Sequence, residues 1–417
     1  MYEKNTTKDG LRIITVPDES SKAVTVLVLV GTGSKYETGK NNGISHFLEH
    51  MLFKGTKKRP NALKIAETLD QVGGMYNAFT SKEVTGYYAK VDASHSYLAL
   101  DWVSDIFLHS KLETKDIKKE RGVILEEFNM ILDHPMSYVD DLFEKLLYGD
   151  QPAGWEIIGK KDNILRFQRK DFLNYFKDHY SALNTIVCVS GNFNQKLMKA
   201  EIEKKFKSIQ KHTPQQKIRT TELQKEPRVL VFPKKTDQTH LCLGARSYDL
   251  FHPKIDAEEV LSVILGGNMS SRLFTEIREK RGLAYYVRTS SEKYTDSGYL
   301  VTKAGIPNNA VEKVVDLILK EYRSIREKGI HQKELKKAKD YLKGSLILSL
   351  ESSDRKASFY ATQEILSGKI LTVKEKCAKI DKVKVSDIKE VAREIFQKDK
   401  LNLALIGPHK DKFRLNL

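Results

Sequence analysis

Two β-rich runs, residues 11–16 and 23–30, open the chain and are separated by the turn-like segment Pro17-Asp18-Glu19-Ser20-Ser21, a pattern that predicts neighbouring strands. The rhythm then becomes helical. Over residues 43–53, Phe47, Leu48, Met51 and Leu52 cover most of one helix surface, with the polar pair Asn41-Asn42 before it and Gly55 as a stop. Residues 62–72 carry Ile65, Leu69 and Val72 at helical spacing and end at Gly73-Gly74. Strand patterns return at 75–79 and 84–91, followed by a helix over 97–107 and a longer one from a Thr114 cap to about Leu132, ahead of Pro135. Helical segments then lead to Tyr180, and residues 185–189 form a closing strand before Gly191-Asn192.

The same order of runs repeats at an offset of 216, the step from Arg12 to Arg228. Arg12-Ile13-Ile14-Thr15-Val16-Pro17 matches Arg228-Val229-Leu230-Val231-Phe232-Pro233, and Val189-Ser190-Gly191 matches Leu405-Ile406-Gly407. The pattern predicts a duplicated α+β chain, each domain a largely antiparallel sheet packed with helices. The expected boundaries are an N-terminal domain over 1–210, a polar linker over 211–227 without apolar periodicity, and a C-terminal domain over 228–417.

Within the residue 43–53 helix, His46 and His50 fall about 40° apart on one face, with Glu49 beside them. Two imidazoles one turn apart can close on a single zinc ion, and the intervening carboxylate is placed to take a proton from water. The order is H-x-x-E-H, inverse to the commoner zinc helix. Shifted by 216, these positions become Ser262, Leu265 and Gly266. The second half keeps the pattern of runs without the triplet, so the histidines read as functional rather than architectural. A third ligand is expected from the 114–132 helix. Glu120 and Glu127 share a face with Ile124 and Ile131, and a carboxylate among isoleucines is costly unless paired or metal-bound. Glu127 is the expected ligand, Glu126 the alternative, and Glu120 lies one layer out, orienting a histidine.

Composition narrows the class. The 417 residues are 40% hydrophobic and 30% charged, ordinary for a globular protein of two to three domains. No apolar run is long enough to span a membrane. The strand pattern follows Met1-Tyr2-Glu3-Lys4 almost at once, which leaves no room for a targeting segment and makes a cytoplasmic protein the expectation. Cys188, Cys242 and Cys377 are far apart and form no C-x-x-C pair, which argues against a disulfide scaffold or a cysteine zinc site. A net charge of +16 is compatible with nucleic-acid binding, but the lysines are spread along amphipathic helices and read as a solvated surface. No nucleic-acid or membrane partner is expected.

Gly33, then after nine residues the run Gly43-Ile44-Ser45-His46-Phe47-Leu48-Glu49-His50-Met51-Leu52-Phe53-Lys54-Gly55-Thr56, resembles the signature of the pitrilysin/insulinase family of zinc peptidases. The likeness is strongest to its short-chain branch, which includes the mitochondrial processing peptidase β subunit and bacterial relatives. Arg121-Gly122-Val123-Ile124-Leu125-Glu126-Glu127 resembles the family's third-ligand segment, with 76 residues separating His50 from Glu127, and the E-x6-E pattern fits Glu120 and Glu127. Asn77-Ala78-Phe79-Thr80-Ser81 resembles the substrate edge strand. Ser271-Arg272-Leu273-Phe274 and Arg278-Glu279-Lys280-Arg281-Gly282-Leu283-Ala284-Tyr285 resemble the motif that binds substrate through an arginine and a tyrosine, here Arg278 and Tyr285.

The resemblance implies one Zn2+ per chain on His46, His50 and Glu127, with Glu49, Glu120, Arg278 and Tyr285 as further catalytic-site residues. It also implies chains that pair into a clamshell of four domains around a closed chamber. The expected function is zinc-dependent endoproteolysis of extended peptides or unfolded segments, Glu49 acting as general base. The expected partners are peptide substrate and a second copy of the chain, with a paralogous chain as the alternative. The competing expectation is a noncatalytic subunit of a heterodimeric processing peptidase. The glycine-rich stretch that would suit such a subunit is only Gly266-Gly267 here.

Overall fold

Strands form where β-branched and aromatic residues concentrate, and helices where apolar residues recur every three or four positions. The computed structural model describes residues 2–410, 413 and 415. In chain order the strands are β1 (Glu3–Thr6), β2 (Arg12–Pro17), β3 (Ala23–Val30), β4 (Met75–Thr80), β5 (Thr85–Asp92), β6 (Thr185–Gly191), β7 (Arg228–Pro233), β8 (Gln238–Arg246), β9 (Tyr286–Lys293), β10 (Gly298–Pro307) and β11 (Leu401–Gly407). The helices are α1 (Ile44–Met51), α2 (Ala62–Asp70), α3 (Ser96–His109), α4 (Thr114–Leu132), α5 (Pro135–Tyr148), α6 (Lys161–Arg166), α7 (Arg169–His179), α8 (Gln195–Lys205), α9 (Ile255–Gly266), α10 (Val311–Lys328), α11 (Gln332–Ser349), α12 (Ser353–Ser367), α13 (Val373–Lys382) and α14 (Val385–Ile395).

The duplication is visible in the pairing. One sheet runs β1-β2-β6-β3-β5-β4 and the other β7-β11-β8-β10-β9. Apart from the extra edge strand β1, the two orders are the same. Among the described residues only β2–β6 and β7–β11 are parallel. Arg12 pairs with Ile186 and Arg228 with Asn402, so both partners are displaced by the same 216 residues. The fold is α+β with two largely antiparallel sheets, as expected from the sequence.

The units do not follow the sequence halves. The first comprises residues 1–128, 156–218 and 348–371, and the second 129–155, 219–347 and 372–417. This differs from the 1–210 and 228–417 division expected from sequence, because two helices change sides. In the first unit α12 packs on β2, β3 and β6, where Ala357 and Ala361 lie among Ile14, Leu27, Leu29, Ile186 and Cys188. The opposite face of β3 and β5 is covered by α3. In the second unit α5 packs on β7, β8 and β11, setting Val139, Leu142, Phe143 and Leu147 against Cys242, Val301, Ala404 and Ile406. The 211–227 stretch has no helix or strand, yet it is docked along its length. Gln215 N donates to Asp178 O and Lys217 pairs with Glu83 in the first unit. Thr221 N donates to Gln151 and Gln224 Oε1 accepts from Asn402 in the second.

Candidate metal centre

The start of α1 is fixed by a buried acid. Gly43 takes φ of +99°, a conformation that suits glycine. The Glu37 carboxylate accepts from Gly43 N at 2.8 Å, Ser45 N at 2.8 Å and Asn42 Nδ2 at 2.9 Å. It thereby meets donors that a helix N-terminus leaves open and sits at the positive end of its dipole. Burial pushes the Glu37 carboxyl up, and these bonds oppose the rise. The Ser45 hydroxyl bonds Tyr175 Oη, which also bonds Thr32. Phe47, Leu48 and Met51 are fully buried, so the opposite face of α1 is free to present the histidines.

His46 and His50 have ring centroids 4.8 Å apart. The Glu127 carboxylate of α4 lies 3.5 Å from His46 Nε2 through one oxygen and 3.5 Å from His50 Nε2 through the other. One donor atom from each of the three residues falls within 4.8 Å of the others. Glu126 is exposed and stands outside this group. His50 Nδ1 is 2.9 Å from Glu120 Oε1, and Lys54 Nζ donates to Glu120 Oε2 at 2.6 Å. That contact leaves His50 Nε2 as the lone-pair nitrogen facing Glu127. Two imidazole nitrogens and a carboxylate oxygen match the three-ligand set of a catalytic zinc site, so the residues present fit that ion.

The charges agree with this arrangement. Burial alone would lower His46, but the hydrogen bond and charge of Glu127 outweigh it and hold the imidazole above its ordinary range. The same bond from His46 draws Glu127 down against the effect of burial. Burial would raise Glu120, and His50 and Lys54 together bring it below the usual carboxylate range. Glu49 points along the same side and accepts from Thr80 Oγ1 at 2.6 Å. Thr80 ends β4, the edge strand beyond β5. Within β4, Asn77, Ala78 and Phe79 pair with Tyr88, Tyr87 and Gly86, and Asn77 Oδ1 accepts from Ala78 N.

Arg278 and Tyr285 belong to the second unit. The segment Phe274–Glu279 is a π-helix, a rare form that clusters at functional sites. Its Arg278 guanidinium sits 4.8 Å above the Phe274 ring. After Gly282, at φ +63°, the chain delivers Tyr285, 74% exposed, to the start of β9. Sequence reasoning missed Glu37 and Lys54. Lys54 lies four residues after His50, a helical spacing that could have flagged it. Glu37 sits in an irregular loop with no periodic signal.

An H-x-x-E-H helix opposed by a distant glutamate, on one of two repeated α+β units, is the arrangement that defines the inverted zinc-helix class. Residues 12–161 match the insulinase family (peptidase family M16), and residues 166–342 match the peptidase M16 inactive domain. The chain belongs to the pitrilysin/insulinase (M16) family, in its short bacterial form. It is 38% identical over 408 residues to the uncharacterized zinc protease YmxG of Bacillus subtilis (strain 168), covering 98% of each chain. It is 34% identical to an uncharacterized zinc protease of Streptomyces coelicolor, covering 98% of this chain and 90% of that one. Among solved structures, a protease from Helicobacter pylori superposes with a TM-score of 0.91 at 27% identity, covering 98% of this chain and 99% of the other. An M16 inactive-domain protein from Pseudomonas fluorescens, at 18% identity and a TM-score of 0.89, shares the fold. Among the described residues no helix is long and apolar enough to cross a membrane.

Proposed function

We propose that the protein is a zinc endopeptidase acting on extended peptides or unfolded segments. The observation that carries this reading is the convergence of His46, His50 and Glu127 within 4.8 Å, with Glu49 on the same helix turn. His46 Nε2, His50 Nε2 and a Glu127 oxygen would hold one Zn2+ per chain. When bound, the ion supplies Lewis-acid polarisation of a peptide carbonyl and lowers the pKa of water. Glu49 takes one proton from the attacking water as the C–O bond forms and gives it to the amine nitrogen as the C–N bond then breaks; the second proton of water stays on the new carboxyl group, from which it passes to the released amine. Glu120, held by Lys54, keeps His50 oriented. The free edge of β4 pairs with an extended peptide and sets its register. Arg278 and Tyr285 act on substrate from the second unit, Arg278 as a cation for carbonyl or carboxylate oxygens and Tyr285 as a hydroxyl donor. The working form is a homodimer enclosing a chamber, in line with the family resemblance.

The test is metal content and hydrolysis of an unstructured reporter peptide by wild type and Glu49→Gln. Both should bind about one zinc per chain, and only the wild type should cleave. A wild type that holds zinc and cleaves nothing across a diverse peptide pool supports the noncatalytic-subunit reading instead. A wild type without zinc removes the metal site and the mechanism together. Light scattering that finds a stable, active monomer refutes the dimer.

A further inference from the structure

The peptidase reading leaves open what holds the Glu49 carboxylate in place. A carboxylate acting as base in a half-open cleft needs one oxygen fixed and the other free. Among the described residues the only hydrogen bond to the Glu49 side chain comes from Thr80 Oγ1, which donates to Oε2 at 2.6 Å, a short contact of the charge-assisted kind. That leaves Oε1 available. The donor is the last residue of β4, the strand whose outer edge is unpaired.

The hydroxyl is delivered to a fixed point because the turn after it is locked. Ser34 N and Lys35 N donate to Ser81 O and Lys82 O at 3.2 and 2.9 Å. A Cβ on Gly33 would lie 2.1 Å from Ser81 O, so the loop bearing Lys35 presses directly on the turn. Lys35 and Glu83, both buried, pair at 3.3 Å, and Lys217 reaches the same carboxylate. The other end of β4 is open, with Met75 64% exposed.

We infer that Thr80 is a positioning residue for the general base, and that through it the strand that receives substrate also sets the carboxylate. A peptide pairing along Asn77–Ala78–Phe79 docks on the same strand, one residue from the group that orients Glu49. Substrate register and base orientation are therefore built on one rigid element, which is what alignment of a water, a carbonyl and a base requires. The inference rests on the zinc-peptidase reading for its kinetic consequence, and on geometry alone for the claim that Thr80 holds Glu49.

The variants are Thr80→Val, which removes the hydroxyl and keeps the β-branched shape, and Thr80→Ser, which keeps the hydroxyl. Thr80→Val should lower kcat roughly 10- to 100-fold, a part of the roughly 100- to 10,000-fold that a general base contributes, with KM within about twofold. Thr80→Ser should recover most of the lost kcat. In a Glu49→Gln background, which should bind peptide without turnover, adding Thr80→Val should leave peptide affinity and zinc content unchanged. Crystal structures of zinc-loaded wild type and Thr80→Val should show the Glu49 carboxylate in different positions. Thr80→Val that raises KM at constant kcat makes Thr80 a substrate contact and overturns the inference. Thr80→Ser as impaired as Thr80→Val reduces the role to strand packing and overturns it too. An unmoved Glu49 carboxylate in Thr80→Val overturns it whether or not the wild type cleaves peptide. Loss of wild-type hydrolysis itself counts against the peptidase reading, and the crystallographic comparison still decides the contact.

Discussion

Cutting the chain between Ile218 and Arg219, where the two units divide, should yield two fragments that fail alone and recover together. A chain of residues 1–218 lacks α12, which covers the face of the first sheet made by Ile14, Leu27, Leu29 and Ile186. Exposing a large buried aliphatic side chain costs about 1.5–3 kcal/mol, so these four alone amount to about 6–12 kcal/mol. Polar anchors go with them. Thr25 Oγ1 bonds Ser353 Oγ at 2.8 Å, Lys90 reaches Asp354 at 2.7 Å, and Glu364 pairs with Lys4 at 2.7 Å. The total matches the roughly 5–15 kcal/mol that holds a whole domain folded. The same fragment also carries α5, whose Val139, Leu142, Phe143 and Leu147 are buried only against the second sheet. Residues 1–218 should therefore bind a hydrophobic dye, lose near-ultraviolet dichroism and show no sharp urea transition. Residues 219–417, which carry α12 and lack α5, should behave alike. Co-expressed, each fragment brings the other's helix, and the pair should copurify with a cooperative transition. A dye-silent 1–218 chain with a steep urea transition would refute the argument.

Three further outcomes follow from single side chains. Lys54→Met leaves Glu120, 4% exposed, without its cation, and zinc affinity by chelator competition should fall roughly 10- to 100-fold. Lys54→Arg should lose less, and wild-type affinity in Lys54→Met would count against the Lys54–Glu120–His50 chain. His179 on α7, its ring tilted against that of Tyr175 at 4.3 Å between centroids, is pushed down from 6.5 to about 4, first by burial, with Asp178 opposing and His212 adding. Because its folded value is depressed, the neutral imidazole stabilises the fold fully above the unfolded value of 6.5, and that contribution is lost as pH falls from 6.5 toward 4. The amplitude is up to about 3 kcal/mol. Urea unfolding at neutral and mildly acid pH should therefore show a smaller acid loss in His179→Phe than in wild type, and an equal loss would sink the assignment. Gly266→His should not rebuild a metal ligand in the second unit. A Cβ there would sit 2.5 Å from Thr289 N and 2.4 Å from its hydroxyl. The variant should unfold at lower urea than wild type without binding a second zinc, and two zinc ions per chain would be the contrary result.

The cluster of His46, His50 and Glu127 as a candidate metal centre was legible because much of its chemistry is local. Two histidines and a glutamate within one turn can be read from spacing alone, and the 114–132 helix appears with the expected ends, although Thr114 is its first helical residue rather than its cap. The repeat was legible because parallel pairing preserves the 216 offset strand by strand. The helix exchange was not. The α12 sequence marks a helix with a small-residue face at Ala357 and Ala361, and nothing in it says which sheet receives that face. Apart from β1 the two sheets repeat the same strand order, so the choice is made by pairwise tertiary fit. The β1 strand was also hidden, since its residues are largely exposed and carry no apolar rhythm. Thr80 read as part of a substrate strand. Its bond to Glu49 joins residues 31 apart in sequence, a separation that no periodicity encodes.

The second unit shows why the candidate metal site is separable from the fold that carries it. At the offset of 216, Ile44, Phe47 and Leu48 become Val260, Val263 and Ile264. These positions stay apolar, and all six residues are buried. They anchor a helix to a sheet in both units. The site positions change character instead: His46 becomes Ser262, Glu49 becomes Leu265 and His50 becomes Gly266. In the second unit β9 closes on the helix there. Thr289 fills the space that a side chain at 266 would need, and its hydroxyl continues to Thr302 at 2.8 Å and from there to Tyr322 at 2.6 Å. In the first unit the corresponding helix face stays polar and partly open, with side-chain exposures of 12% at His46, 22% at His50 and 29% at Glu127. A closed version of this helix is thus compatible with the fold and avoids bringing imidazoles and carboxylates into a half-buried cleft. Such a cleft carries a desolvation penalty that packing alone does not offset. What the first unit retains at that cost is a set of donors converging on one point.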